Sequence, residues 1–135
     1  MRDGTAATAE RRADVLAITR FRLAESGDDA FLDQARVALT ALRERPGFVR
    51  GHLGRSTDDP TLWVLSTEWE GVGAYRRALS SYDVKLHAVA VLQRAVDEPG
   101  AFEVLEVAAG DGSSFRQSDR AADAGTAGPG GVSGG

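Results

Sequence analysis

The stretch from Pro46 to Leu79 constrains the fold more than any other part of this chain. It reads Pro46-Gly47-Phe48, an extended segment, the turn residues Asp58-Asp59-Pro60, and the apolar run Leu62-Trp63-Val64-Leu65. Thr67-Glu68-Trp69-Glu70 then passes straight into Ala74-Tyr75-Arg76-Arg77-Ala78-Leu79. Turn chemistry between two strand-compatible runs, followed at once by helical spacing, predicts strand, hairpin, strand, helix, with Trp69 at the last junction.

The flanking segments extend this pattern. Asp14 to Leu23 reads as a first strand, with Val15, Ala17, Thr19, Phe21 and Leu23 on one face and Leu16, Ile18, Arg20 and Arg22 on the other. Ser26-Gly27-Asp28-Asp29 offers capping oxygens and first-turn acids to a helix running to about Arg45. Phe31, Ala35, Ala38, Leu39 and Leu42 form its apolar stripe, and Pro46-Gly47 stops it. Phe48 to Ser56 is the second strand, where Gly51 and Gly54 mark a bulge or a close backbone approach. After the turn Thr57 to Thr61, Leu62 to Trp69 is the third strand. Gly71 to Ser80 is a short helix with Val72, Tyr75 and Leu79 on one side. Val84 to Val96 fits both alternation and helical spacing; its alanines and unbroken length favour helix. Pro99-Gly100 ends it, and Ala101 to Val107 is the last strand. This order is the split βαβ pattern of a ferredoxin-like α+β fold, a four-stranded antiparallel sheet with its helices on one face.

Composition sets the limits. Residues 1–13 read as a flexible leader, 14–108 as the domain, and 109–135 as a disordered Gly/Ala/Ser-rich tail with too little apolar surface to offset its ordering entropy. The chain has no cysteine, so disulfides, thiolate nucleophiles and cysteine-held metals are excluded. The formal net charge is −4, and the basic residues are scattered rather than clustered, which argues against nucleic acid as a partner. No segment approaches the roughly 18 apolar residues of a membrane span, and none reads as a secretion signal. A cytoplasmic location with no membrane partner is the expectation. The first, third and last strands are apolar on both faces. The face away from the helices therefore needs a cover, and a second copy packed sheet on sheet predicts a homodimer.

Four stretches carry a resemblance to a known family: Ala17-Ile18-Thr19-Arg20-Phe21, Pro46-Gly47-Phe48, Ser66-Thr67-Glu68-Trp69-Glu70, and Ala74-Tyr75-Arg76-Arg77-Ala78-Leu79. In these, from about Val15 to Val107, the chain resembles the antibiotic biosynthesis monooxygenase-like family of the dimeric α/β barrel superfamily. The resemblance implies a homodimeric barrel. It also implies a family that contains cofactor-independent monooxygenases of aromatic polyketides, quinol-type oxygenases, haem-degrading enzymes and members without assigned activity. The haem-degrading branch carries an Asn on the first strand, a Trp in the helix after the third and a His beyond it. Here Thr19 stands at the first position, Ala78 near the second, and only His87 falls close to the third, so haem degradation is disfavoured. The monooxygenase branch uses neither metal nor flavin, and no cofactor is expected. An electron-rich aromatic or quinol-like substrate is deprotonated and reacts with O2 directly, in an apolar pocket with a proton acceptor or donor and little water.

Under that reading His87 and Tyr75 are the candidate catalytic residues, and Thr19, Phe21, His52, Trp69, Arg76 and Tyr82 the candidate substrate contacts. Each has a blander alternative. His87 is a base near neutral pH or a structural histidine bonded to a carbonyl. Tyr75 and Tyr82 donate to a developing oxyanion, or Tyr75 packs with Val72 and Leu79. Trp69 walls a cavity or anchors the helix that follows it. His52 faces a ligand or solvent, and Arg76 guards a pocket mouth or sits on a solvated helix face. Gly71-Val72-Gly73 resembles a dinucleotide loop, but Arg76 occupies the third glycine position. No His/Asp/Glu grouping has metal-ligand spacing. A non-catalytic small-molecule-binding or dimerisation module of the same fold is the alternative function. An interior filled by Phe31, Trp69, Tyr75 and Leu92 would favour that module, and a cavity reached by His87 or Tyr75 the oxygenase.

Overall fold

A computed structural model describes residues 12–24 and 28–115. Strands β1 (Val15–Arg22), β2 (Phe48–Arg55), β3 (Leu62–Trp69) and β4 (Ala101–Glu103) form one sheet in the order β2-β3-β1-β4. β3 runs antiparallel to both neighbours. It sets Val15 opposite Trp69 and Arg22 opposite Leu62 on one side, and Leu53 opposite Leu65 and Arg55 opposite Trp63 on the other. β1 and β2 are thus parallel with β3 inserted between them, joined by the crossover helix α1 (Asp28–Arg43). That is the split βαβ arrangement of the ferredoxin-like fold. The capping expected of Ser26 lies outside the described residues.

Alternation decides which face is buried. Val15, Ala17 and Phe21 of β1 and Trp63, Leu65, Thr67 and Trp69 of β3 point to the helix side and are buried. They meet Phe31, Ala35, Ala38 and Leu42 of α1, and then Ala74, Ala78, Val84, Ala88 and Val91 from three further helices. These are α2 (Val72–Ser80), α3 (Tyr82–His87) and α4 (Val89–Leu92). Aromatic rings fill both ends of this layer. Phe31 touches Phe21 at 5.0 Å and Trp63 at 5.6 Å between centroids, while Trp69 touches Phe48 at 5.3 Å and Tyr75 at 5.8 Å. On the opposite face Leu16, Ile18, Leu62 and Val64 are only partly buried. Apolar residues therefore do occupy both faces of the sheet.

Ser81 separates α2 from α3. Its hydroxyl donates to the Ala78 carbonyl at 2.8 Å and accepts the Val84 N–H at 3.3 Å, closing one helix and opening the next. At the other end of β3, Gly47 has φ +91°, and its carbonyl accepts the Glu70 N–H at 2.8 Å. A Cβ at Gly47 would collide with the Ala74 Cβ, so only glycine lets α2 settle against this turn.

Two expectations need correction. The single helix over Val84 to Val96 is instead two short helices that break at Ala88 and end at Leu92. Ala95 then bridges to Phe21, and the Val96 N–H donates to the Arg20 carbonyl at 2.8 Å. Pairing with the edge of β1 outcompetes the local helical preference, which is the alternation already legible in that segment. The last strand also stops early: β4 ends at Glu103, and the residues after it form a separate hairpin.

The chain divides into two compact units, one ending at Phe102 and one starting at Glu103. In the second unit β5 (Glu106–Ala109) pairs antiparallel with β6 (Gly112–Phe115), with Glu106 opposite Phe115 and Val107 opposite Ser114. Gly112 has φ +146° beside the turn. The boundary expected at residue 108 falls inside β5. Residues 116–135 of the expected tail lie outside the described residues.

Candidate functional site

Trp69 is the fixed point of the candidate site. Its indole is fully buried at the end of β3, and its Nε1 donates to Thr67 Oγ1 at 2.8 Å. Phe48 meets it nearly edge-on, with 88° between the rings. Tyr75 leans on it from the first turn of α2 at 55°. Tyr75 is half-buried, and that burial pushes its phenol above the ordinary value. Like any phenol it is a protonated donor at neutral pH, fit to hydrogen-bond an oxyanion rather than to act as a base.

The other expected residues are placed as follows. Thr19 points to the helix side opposite Leu65, and is the partly exposed position in a row whose neighbours Ala17 and Phe21 are buried. Phe21 is fully buried in the core against Phe31. His52 is exposed on β2 opposite Ser66, on the face away from the helices. Arg76 is exposed on α2, and Tyr82 is 75% exposed at the start of α3. His87 is exposed at the end of α3 and lines a groove of about 380 Å³ with Asp83, Arg36, Val37, Thr40, Ala41 and Glu44. That lining contains two acids, an arginine and the imidazole over an apolar floor. Tyr75 is not part of it. The structure thus joins Tyr75 with Trp69 and sets His87 in a groove between α1 and α3.

Thr67 is the residue that reading the sequence passed over. It is the buried polar side chain of the described core and fixes the Trp69 ring. Its parity gave the signal, because it shares a strand face with Trp63, Leu65 and Trp69. Among the described residues no group of three His, Asp or Glu is placed to hold a metal ion. No described helix is long and apolar enough to cross a membrane.

The family model for antibiotic biosynthesis monooxygenase matches residues 14–90. The chain is similar to SnoaB, a cofactor-independent oxygenase from Streptomyces nogalater. A crystal structure of one SnoaB mutant is 27% identical with a TM-score of 0.58, covering 69% of this chain and 94% of that one. A second SnoaB structure is 25% identical with a TM-score of 0.57, covering 80% and 98%. Rv0793 from Mycobacterium tuberculosis, 18% identical with a TM-score of 0.55 over 67% of this chain and 91% of its own, shares the fold. No curated protein matches the chain. The family match spans more than half of the chain and takes in the strands and helices that hold Trp69, Tyr75 and His87, so the chain belongs to the antibiotic biosynthesis monooxygenase family.

Proposed function

We propose that the chain is a cofactor-independent monooxygenase that oxidises an aromatic or quinol-like small molecule with O2, acting as a cytoplasmic homodimer. The observation that carries this reading is the half-buried Tyr75 phenol seated against Trp69. Family membership and the similarity to a cofactor-independent oxygenase at 27% identity support it. The chemistry is light. An activated ring CH2 loses a proton, and the carbanion transfers its electrons to O2 to form a C–O bond. The resulting peroxide then eliminates water to leave a carbonyl, so one oxygen atom enters the product and the other leaves as water. Tyr75 donates to the enolate oxygen as charge builds there. His87 is proposed as the proton acceptor, which requires a substrate that spans from Tyr75 to the groove between α1 and α3. Of the proposed substrate contacts Thr19 is the partly exposed one on the helix side; Phe21 and Trp69 are fully buried and support the site by packing, while His52 lies on the other sheet face and Arg76 and Tyr82 on the exposed helix surface. The partly buried Leu16, Ile18 and Val64 would be covered by the sheet of a second copy.

Oxygen uptake by the pure protein, measured with a panel of anthrones and hydroquinones, tests this. Turnover with a one-to-one ratio of O2 consumed to carbonyl formed is expected. No uptake with any member of the panel overturns it.

One observation favours the second reading, a non-catalytic binding or dimerisation module. Phe31 and Trp69 are fully buried, and Tyr75 and Leu92 pack against the same core. On that reading calorimetry detects aromatic ligands that the protein leaves unoxidised.

A further inference from the structure

We propose that Asp97-Glu98-Pro99 is a strap at the edge of β1 that gates the way to Thr19, closed in this structure by the ion pair between Arg20 and Glu98. The inference rests on the proposed role of Thr19 as a substrate contact, but its test reads access to that residue and not oxygen uptake.

The register along the edge defines the strap. Beyond α4 the chain returns to β1, where Ala95 stands opposite Phe21 and the Val96 N–H donates to the Arg20 carbonyl at 2.8 Å. The pairing resumes at Gly100, whose carbonyl accepts the Ile18 N–H at 2.7 Å. Val96 therefore answers Arg20 and Gly100 answers Ile18, so Asp97, Glu98 and Pro99 together face the single residue Thr19. An unbroken antiparallel register puts one residue there. The extra length is a bulge, a feature that concentrates at sheet edges and beside active sites. The chain bends at Asp97 and Glu98, all three residues are exposed, and Pro99 has no N–H to give the ladder.

The bulge stands beside the weak point of the helix-side layer. On that face of β1, Val15, Ala17 and Phe21 are buried, and Thr19 is partly exposed. The chain covers the edge at Phe21 through Ala95 and then turns outward at Asp97, opposite Thr19. A wider arc here opens a path to the Thr19 side chain from the edge of the sheet.

The fastening lies on the other face. Arg20 alternates with Thr19 along β1 and points away from the helices. Its Nε donates to Glu98 Oε2 and its Nη2 to Oε1, each at 2.8 Å. Such a two-pronged pair is planar and directional. The hydrogen bonds from Arg20, aided by its charge, hold the Glu98 carboxyl below its ordinary value, so the pair is ionised at neutral pH. With side chains 43% and 31% exposed, the pair is also screened by water and salt. It sets a resting position for the strap and still lets it release, which is what a latch requires.

The absence of cysteine makes access measurable. Full-length Thr19→Cys is labelled with N-ethylmaleimide and with the bulkier, planar pyrene maleimide, with and without Glu98→Gln. Release of the strap is expected to raise the pyrene maleimide rate about three- to fivefold, the scale of a surface ion pair, and the N-ethylmaleimide rate less. The exchange of Arg20→Glu with Glu98→Arg should restore the slow rate. Ala17→Cys, buried two residues back on the same face, is the control for general loosening. The proposal is overturned if Glu98→Gln leaves the labelling of Thr19→Cys unchanged or slows it, or if that thiol labels in neither background. It is equally overturned if Ala17→Cys accelerates by the same factor, or if the charge exchange labels as fast as Glu98→Gln.

Discussion

The Trp69 Nε1 donates to Thr67 Oγ1 at 2.8 Å, two residues back along the same face of β3, with both side chains buried. This bond sets the plane of the indole on which Phe48 and Tyr75 pack. Thr67→Val keeps the shape of the side chain and removes the acceptor, which leaves an indole N–H buried without a partner. The expected loss is about 1–3 kcal/mol in urea unfolding. Thr67→Ser restores the acceptor and recovers most of that loss. Equal stability for Thr67→Val and the parent would show that the bond contributes nothing net.

Gly47 predicts a second large effect. At φ +91° an L side chain is strained, and the new Cβ would strike Ala74. Gly47→Ala is expected to cost about 1–3 kcal/mol from backbone strain alone, with the collision adding to it. Combining it with Ala74→Gly relieves the collision but not the strain, so the double variant should recover only part of the loss. Chemical unfolding of the three variants measures the two effects separately.

How far the sequence announces this structure differs from element to element. β1 and β3 were legible because strand-compatible apolar runs there are bounded by turn and helix signals, and the split βαβ order follows from them. The segment after Leu92 was not, because local propensity favours helix while the edge of β1 away from β3 claims Ala95 and Val96. The β5–β6 hairpin was hidden by composition: Gly110, Gly112, Ser113 and Ser114 look like tail, and their pairing depends on the glycine turn. At the site, Trp69 and Tyr75 lie six residues apart across a strand–helix junction; each was read singly, and their contact comes from the way α2 settles against the end of β3. The groove around His87 depends on which side of α3 meets α1, and the Ser81 link between α2 and α3 sets that.

The β2–β3 turn predicts a pH dependence. Asp59 is held at about 2, first by the Thr61 hydroxyl, then by Arg22 and the Thr61 N–H. Asp59 Oδ1 accepts from Thr61 Oγ1 at 2.7 Å, and Oδ2 meets Arg22 Nη1 at 2.8 Å. The folded value lies below the unfolded one of about 3.9. The stabilisation is therefore fully present above about pH 4 and is lost as pH falls through about 2. NMR titration of the Asp59 carboxyl should give a midpoint near 2 in the parent, and Thr61→Ala should move it toward 4. Asp59→Asn should flatten the stability profile across that interval.

Tyr75→Phe separates catalysis from packing. Phe keeps the ring beside Trp69 and removes only the hydroxyl, so the unfolding midpoint should hardly move. If the phenol stabilises a developing oxyanion, losing one such donor lowers kcat by about 10²–10³. The fall should appear in kcat more than in KM, because the hydrogen bond strengthens as charge develops on the substrate oxygen. The proton-acceptor role predicts a different signature for His87→Gln: reduced turnover that recovers as pH rises and the substrate ionises unaided. Full oxygen uptake by Tyr75→Phe on a substrate the parent oxidises would remove Tyr75 from the chemistry and leave it as a packing residue on Trp69.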